Sequence, residues 1–420
     1  MATSAPRIDS QEYESRVKKL QASVALADLD LFIVSSFESI YYLTGAGFEP
    51  LERPFFLLVR PERAPTLLVP KLDQEHMKKA HGIDATNIHT YWEYPAPAGR
   101  NWRNRLHDQI GTAKQVGVEP SLSLEIAQEL RAYSFRVEPL VERLRIIKSA
   151  AEIAMIRRAA HYSDMGLDLL FEASYHGATA AEGFAQTRHV TAQIIRDLDD
   201  WEPLTTKVIM ATWAAPWSAM PHCIPYLNDR LCEGPHVGLV LTRVNGYAAE
   251  SERTYFTKEP SQQTRSVLRL MERARELAFG MIKPGMPCGE IDAKVNEFLR
   301  AEGYKSENQR LHRTGHGFGL GNHEAPWLAE GSTDRLEANM VISIEPGIYL
   351  EGLGGFRHSD TVLVTVKDPW YEVLTKNYPH ESAPRVIRRT NPIQWMKGQI
   401  VRQKLQVSGK IGRTGLDAPD

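Results

Sequence analysis

The chain has 420 residues, 42% of them hydrophobic and 24% charged, which is room for two globular domains with separate cores. A formal net charge of -2 gives no field that would draw nucleic acid or an anionic membrane, so neither partner is expected. Cys223, Cys232 and Cys288 have no disulfide-like spacing and read as reduced thiols. The first apolar stretch, ASVALADLDLFIVSS, is broken by Asp28 and Asp30, so no signal core or bilayer span is expected and the location reads as cytoplasmic.

Residues 11–27 pattern as an amphipathic helix through Leu20, Val24 and Leu26. The β-rich runs LFIVSS, IYYLTG, PFFLLV and TLLVP follow, separated by Gly, Pro and charged turns. KLDQEHMKKAHG suits a helix, WEYPAPAGRNW a loop, QVGVEP a strand and SLEIAQELRAY a helix. Together these predict an α/β domain over residues 1–145. The segment VERLRIIKSAAEIAMIRRAAHYSDMG then opens a long helix, with Ser149 as N-cap and Glu152 three residues on. Residues 146–380 alternate helices with the β-rich runs TTKVIMAT, HVGLVLTRV, YAAESERTYF, MVISIEPGIYL and DTVLVTV. TRSVLRLMERARELAFGMI reads as a helix ending in IKPGMPCGE, and EIDAKVNEFLRAEG as a second ending at Gly303. Residues 381–420 hold eight Arg or Lys against three acids. They read as a solvated, partly ordered extension, with Trp395 and Met396 as the residues for any partner contact.

Four segments carry the chemistry: SAMPHC around His222, NGYAAESERTYF, RTGHGFGLGNHEAP, and ISIEPGIY with GGFRHSDTVLV. Histidines and carboxylates on strands and their loops are the types needed for acid–base work or metal binding. Glu250 and Glu252 flank Ser251 on a predicted strand, so they share a face. Each feature also has a plain structural reading: His222 as a surface or satisfied core histidine, the two glutamates as a solvated strand face, the glycines as a turn. GHGFGLG is no nucleotide loop, because no GxGxxG opens a helix after a strand. Cys223 next to His222 points to the opposite face and has no evident partner as a nucleophile.

The order PH, NGY with an RT pair, GHGxG with HExP, EPG, then GGxR with D resembles the M24 family of aminopeptidase P, prolidase and creatinase over residues 10–375. The IKPG turn and the LRxIKSAxEIxxxR helix also match. The resemblance implies an α/β (α+β) chain: a small N-terminal creatinase-like α/β domain and a C-terminal pita-bread catalytic domain. The family's metallopeptidases hold two metal ions through five side chains. Those positions fall near Leu239 and on Glu250, His316, Glu345 and Ser359. Leucine and serine are poor replacements for carboxylates, so no metal and no cofactor is expected. The alternative is a single divalent ion at Glu250, His316 and Glu345.

Creatinase works without metal, and SERT is similar to its ALERT motif. That likeness implies His222, Glu252 and Glu345 as catalytic residues, and Arg53, Glu250 and His316 as contacts to a small-molecule substrate. His323, in the peptidase spelling HExP, and Trp327 and His358, at or beside positions where creatinase has an arginine and a histidine, are expected as further contacts. The likeness also implies a homodimer in which Arg53, ahead of Pro54, reaches the neighbouring active site. A cationic guanidinium or amidinium would neutralise the converging carboxylates. The expected function is therefore metal-independent, creatinase-like hydrolysis of a C–N bond in a small guanidino, amidino or related amide compound. A cyclic amidine hydrolase such as ectoine hydrolase belongs to the same class, with Glu252 as nucleophile. The alternatives are an Xaa-Pro metallopeptidase with a reduced metal site and a non-catalytic ligand- or peptide-binding homologue.

Overall fold

Two units divide at residue 146/147 in the computed structural model, which describes residues 7–49, 51–93, 95–378, 383–388 and 391–407. In the first unit, strands β1 (Leu31–Val34), β2 (Phe56–Val59), β3 (Thr66–Pro70), β4 (Ile88–Tyr91), β5 (Gln115–Val118) and β6 (Ser134–Val137) form one mixed sheet in the order β4-β3-β2-β1-β5-β6. The helices are α1 (Ser10–Leu26), α2 (Phe37–Thr44), α3 (Gln74–Met77), α4 (Trp102–Ile110), α5 (Leu124–Glu129) and α6 (Leu140–Ile146). Leu31, Ile33, Phe56, Leu58 and Val116 pack against Trp102, Leu106 and Ile110 on one face. Phe32 and Val34 are buried on the other, so β1 is apolar throughout rather than alternating.

IYYLTG, expected as a strand, is the end of helix α2. The Ser36 side chain accepts the Ser39 N–H at its start, and Gly45 closes it at φ 68°. Those two caps outweigh the β preference of Ile40, Tyr41 and Tyr42. KLDQEHMKKAHG forms only a short helical stretch, over residues 71–77. Strands β4 and β6 and helix α4 had no predicted counterpart; β6 is a largely exposed edge strand, without the apolar pattern that marks a buried one.

The second unit opens with α7 (Ala150–Ala173), where Ser149 and Glu152 form the expected reciprocal capping box. Next come α8 (Ala180–Phe184) and α9 (Thr187–Asp197), then strands β7 (Lys207–Trp213), β8 (His236–Val244) and β9 (Tyr247–Tyr255). Helices α10 (Gln262–Met281) and α11 (Cys288–Ala301) precede β10 (Gly315–Gly317), β11 (Glu324–Leu328), β12 (Val341–Ile344), β13 (Gly347–Leu350), β14 (Gly354–Arg357), β15 (Ser359–Val364) and β16 (Tyr371–Val373). The main sheet runs β11-β10-β12-β15-β9-β8-β7, with β16 on β15 and β13–β14 as a separate pair. Helix α7 lies on the β8–β9 ribbon, tied to it by Ser163, whose Oγ donates to the Ala249 carbonyl at 2.9 Å. Gly303 follows α11 at φ 101°, as its position predicts.

The basic extension is partly a helix, α12 (Pro392–Leu405), anchored by Arg402 to Glu182 Oε1 at 2.6 Å and to the Gly177 carbonyl at 2.7 Å. Trp395 and Met396 are exposed on it. The charged residues Glu381, Arg389, Lys410, Arg413, Asp417 and Asp420 lie outside the described residues. Among the described residues, no helix is long and apolar enough to cross a membrane.

A buried charge network locks the helical side of the sheet. Arg253 donates to Asp360 Oδ1 at 2.7 Å, Arg275 bonds the other oxygen of Asp360, and Arg275 also donates to Glu272 Oε2 at 2.8 Å. Burial alone would raise the Asp360 pKa, but the Arg253 and Arg275 charges outweigh it and hold the carboxyl below its ordinary value. Asp360→Asn leaves two buried guanidinium groups short of an anion, and should cost about 3–5 kcal/mol near neutrality by urea unfolding. Because the folded pKa is depressed, that contribution is fully present above the ordinary carboxylate range and is lost as pH falls through the folded value. The gap between wild type and variant should therefore shrink in acid.

Candidate active site

The hairpin turn between β8 and β9 sets the site. Asn245 and Gly246 adopt φ 45° and 92°, the left-handed pair of a tight two-residue turn, which asparagine and glycine accept at little cost. The register it fixes places Leu239 opposite Glu252 and Leu241 opposite Glu250. Glu250 and Glu252 therefore project to one face and Ser251 and Arg253 to the other, as the alternation predicts. Across the sheet Glu252 pairs with Ser359 and Ser251 with Asp360.

That face forms the floor of a cleft of about 360 Å³. His222, Glu250, His312, His323, Glu345 and Arg357 supply its polar lining, and Ile209, Trp213, Leu239 and Leu241 an apolar wall. His316 sits just behind, fully buried on β10. Its flanking glycines answer to packing: a Cβ at Gly315 would stand 2.1 Å from the Ser343 carbonyl oxygen, and one at Gly317 2.3 Å from that of Ala325. His316 Nε2 lies 3.0 Å from Glu345 Oε1, and His312 Nδ1 3.6 Å from Glu345 Oε2. The His323 ring meets His316 edge-on at 4.2 Å, and His222 meets His312 edge-on at 5.3 Å.

Charge in the cleft is unevenly shared. Burial, then the Glu345 and Glu252 carboxylates, push Glu250 up to about 8. Burial also opposes ionisation of Glu345, but the His316 charge and the nearby His312 outweigh it and hold Glu345 well below its ordinary value. His316 is raised in turn, because the Glu345 charge outweighs the penalty of burial. His323 is pushed down to about 4 by burial and by His316. Arg357 grips Glu252 with two bonds, Nε to Oε2 and Nη2 to Oε1, each 2.5 Å.

The donor set fits one divalent ion. Ligand atoms of Glu250, Glu252 and Glu345 all lie within 4.8 Å of one another, and Glu250 Oε1 is buried without a hydrogen-bond partner. Two carboxylates and an imidazole suit a hard or borderline cation. Without a cation, the protons favoured on Glu250 and His316 provide the balancing charge, and binding an ion would displace them. The set does not fit two ions: Leu239 and Ser359 provide no anionic donor, and both oxygens of Glu252 are engaged by Arg357.

Of the residues expected from sequence, His222, Glu250, His323 and Glu345 line the cleft, and Glu252 and His316 lie buried beside it. His358 does not belong to it. One residue past Arg357, it points to the opposite face of the sheet and pairs with Glu272. Trp327 is also outside the lining; its indole lies under the Arg313 guanidinium at 4.5 Å. Arg53 belongs to the first unit, where it pairs with Glu93. Three polar cleft residues were not foreseen, His312, Asn322 and Arg357, nor was the apolar wall of Ile209, Trp213 and Leu241. Arg357 is the arginine of the GGxR motif, and its parity, two residues before Ser359, puts it on the same face.

Residues 154–366 match the model of metallopeptidase family M24, and residues 16–147 that of the creatinase/prolidase N-terminal domain. An uncharacterized peptidase of Staphylococcus aureus (strain USA300) is 30% identical over 342 residues, 80% of this chain and 92% of that protein. The crystal structure of dipeptidase PepE from Mycobacterium ulcerans superposes with a TM-score of 0.77 at 25% identity, covering 91% of this chain and 100% of that one. A prolidase from Thermococcus sibiricus gives 0.75 at 25% identity, with 91% and 100% coverage. Fold and site thus define a hydrolase of the pita-bread class acting on C–N bonds. The chain belongs to metallopeptidase family M24. This overturns the expectation of no cofactor: the family is one of metal enzymes, and the cleft retains donors for an ion.

Divalent-ion affinity should climb as pH rises through about 8, where Glu250 loses its proton. Titration calorimetry in buffers of different ionisation enthalpy should detect protons released on binding. Glu250→Gln should weaken binding and flatten this pH dependence. In chelator-treated protein the same variant should be the more stable above the ordinary carboxylate range, because Glu250 is costly to bury once ionised.

Proposed function

We propose that the second unit hydrolyses the peptide bond of short peptides, dipeptides ending in proline included, with one divalent ion held by Glu250, Glu345 and His316. The observation that carries this reading is the buried Glu250 Oε1 and His316 Nε2, both without a hydrogen-bond partner, converging on Glu345, whose Oε1 lies 3.0 Å from His316 Nε2. The names of the relatives, a dipeptidase and a prolidase among them, support it. In this reading residues 146–380 are the catalytic domain, residues 1–145 a separate N-terminal domain, and the chain from 381 an extension.

A bound ion of this kind would polarise the scissile carbonyl and make water a stronger nucleophile near neutral pH. The protein's own groups do the rest. Glu345 stays ionised through its two histidine partners. His222, on the cleft wall, gives a proton to the leaving nitrogen, and His323 is kept neutral and able to accept one. Arg357 neutralises Glu252 from within. That weakens the case for a guanidino substrate, because the carboxylate meant to receive it is already satisfied. Leu239, Leu241 and Trp213 exclude water from one side and suit an apolar side chain.

Purified protein should bind close to one equivalent of Mn, Zn or Co by elemental analysis and hydrolyse some member of an Xaa-Pro and general dipeptide panel. Chelation should abolish turnover. His222→Ala should lower kcat by about 10²–10⁴ while metal content holds. A guanidino compound turned over in chelator, with no peptide hydrolysed, sinks the reading. Leu239 and Ser359 favour one second reading, a binding protein without catalysis. Its mark would be peptide-induced thermal stabilisation without turnover, unchanged in His222→Ala.

A further inference from the structure

A second cavity, of about 560 Å³, opens between α7, α9 and α12 and shares no lining residue with the cleft. Its rim carries Arg188, His189, Arg196, Lys397 and Lys404 against a single acid, Glu172. Its floor is apolar, built from Met165 and Leu169 of α7 and Ile400 and Val401 of α12. Among the described residues, no ion pair involves Arg188, Lys397 or Lys404. Arginines elsewhere on the surface, such as Arg103 and Arg157, do have carboxylate partners.

The cavity is a built one. Helix α12 is pinned by the Arg402 bonds to Glu182 and Gly177. It is seated closely at Gly398, where a Cβ would stand 2.9 Å from Tyr175 Oη. The rim field is positive at its centre: burial lowers the His189 pKa, and the Arg188 and Lys397 charges lower it further. Like charges gathered around one opening repel one another unless an anion joins them. A charged rim over an apolar floor matches a ligand with one anionic end and one apolar end.

We propose that this cavity binds an amphiphilic anion, a single phosphate or carboxylate group on an apolar body. The proposal is independent of the peptidase reading, since it uses none of the cleft residues.

Titration calorimetry of the full chain with decyl phosphate and with decanoate, each kept below its micelle concentration, tests it; the stronger of the two identifies the head group. At least one should bind, with inorganic phosphate and decanol each weaker by roughly tenfold or more. The double variant Lys397→Gln/Lys404→Gln should weaken binding of that amphiphile by roughly tenfold or more. Ile400→Ser should weaken it while leaving the response to inorganic phosphate unchanged. Both variants alter exposed side chains, and an unchanged ligand-free unfolding temperature checks their fold. Equal amphiphile binding by wild type and the double variant would overturn the proposal. So would inorganic phosphate binding as tightly as decyl phosphate, or no binding of either amphiphile.

Discussion

The register of β9, fixed against β8 by the tight turn at Asn245–Gly246 and continued across to β15, is the constraint on which the second unit rests. Side chains alternate across a strand, so this register decides which buried charges meet. Glu250, Glu252, Arg357 and Ser359 fall on the cleft side. Ser251, Arg253, His358 and Asp360 fall on the helical side. A slip of one residue would exchange the two sets, bringing Arg253 and Asp360 into the cleft and sending the glutamates into the helices.

Each side of the sheet then solves the same electrostatic problem in its own way. Buried charge is tolerated only when paired and hydrogen-bonded. On the helical side Arg253, Arg275, Asp360, Glu272 and His358 pair with one another and serve the fold. On the cleft side Arg357 closes off Glu252 completely, while Glu345 leans on two histidines and Glu250 retains an unpartnered oxygen. The incomplete part of the cleft set is where a cation would be accommodated. The complete part, around Glu252, is where an external guanidinium has no vacancy to fill.

The fold was largely legible in the chain because long-range motif order and local caps agreed. The capping box at Ser149, the glycine after α11 and the alternation around Ser251 all appear where the residues place them. Helix α2 was misread because tyrosine and isoleucine favour strands on average, while the two caps that override them occupy single positions. At the site, the residues on matched motifs were found and their pairing was not. Nothing in the order of residues says that Arg357 reaches back to Glu252, or that His312 stands between His222 and Glu345. His358 was misplaced for a related reason: adjacent residues of a strand can lie on opposite sides of a sheet. Trp327 stands opposite His316 in the β10–β11 register but packs against Arg313 outside the cleft. Leu239 and Ser359, at positions where the family resemblance implies ligands, led to the expectation of no metal, with a single ion at Glu250, His316 and Glu345 as the alternative; membership of a metallopeptidase family overturns the former.

Leu239 and Glu252 face each other across the β8–β9 ribbon, and this makes them a single unit of change. An aspartate at 239 alone would add a half-buried carboxylate on the cleft wall, facing an arginine already committed to Glu252. Removing Glu252 alone would strand Arg357 without an anion in a dry interior. Either single replacement passes through a chain with an unbalanced charge, so the present arrangement is easy to keep and hard to reverse one substitution at a time.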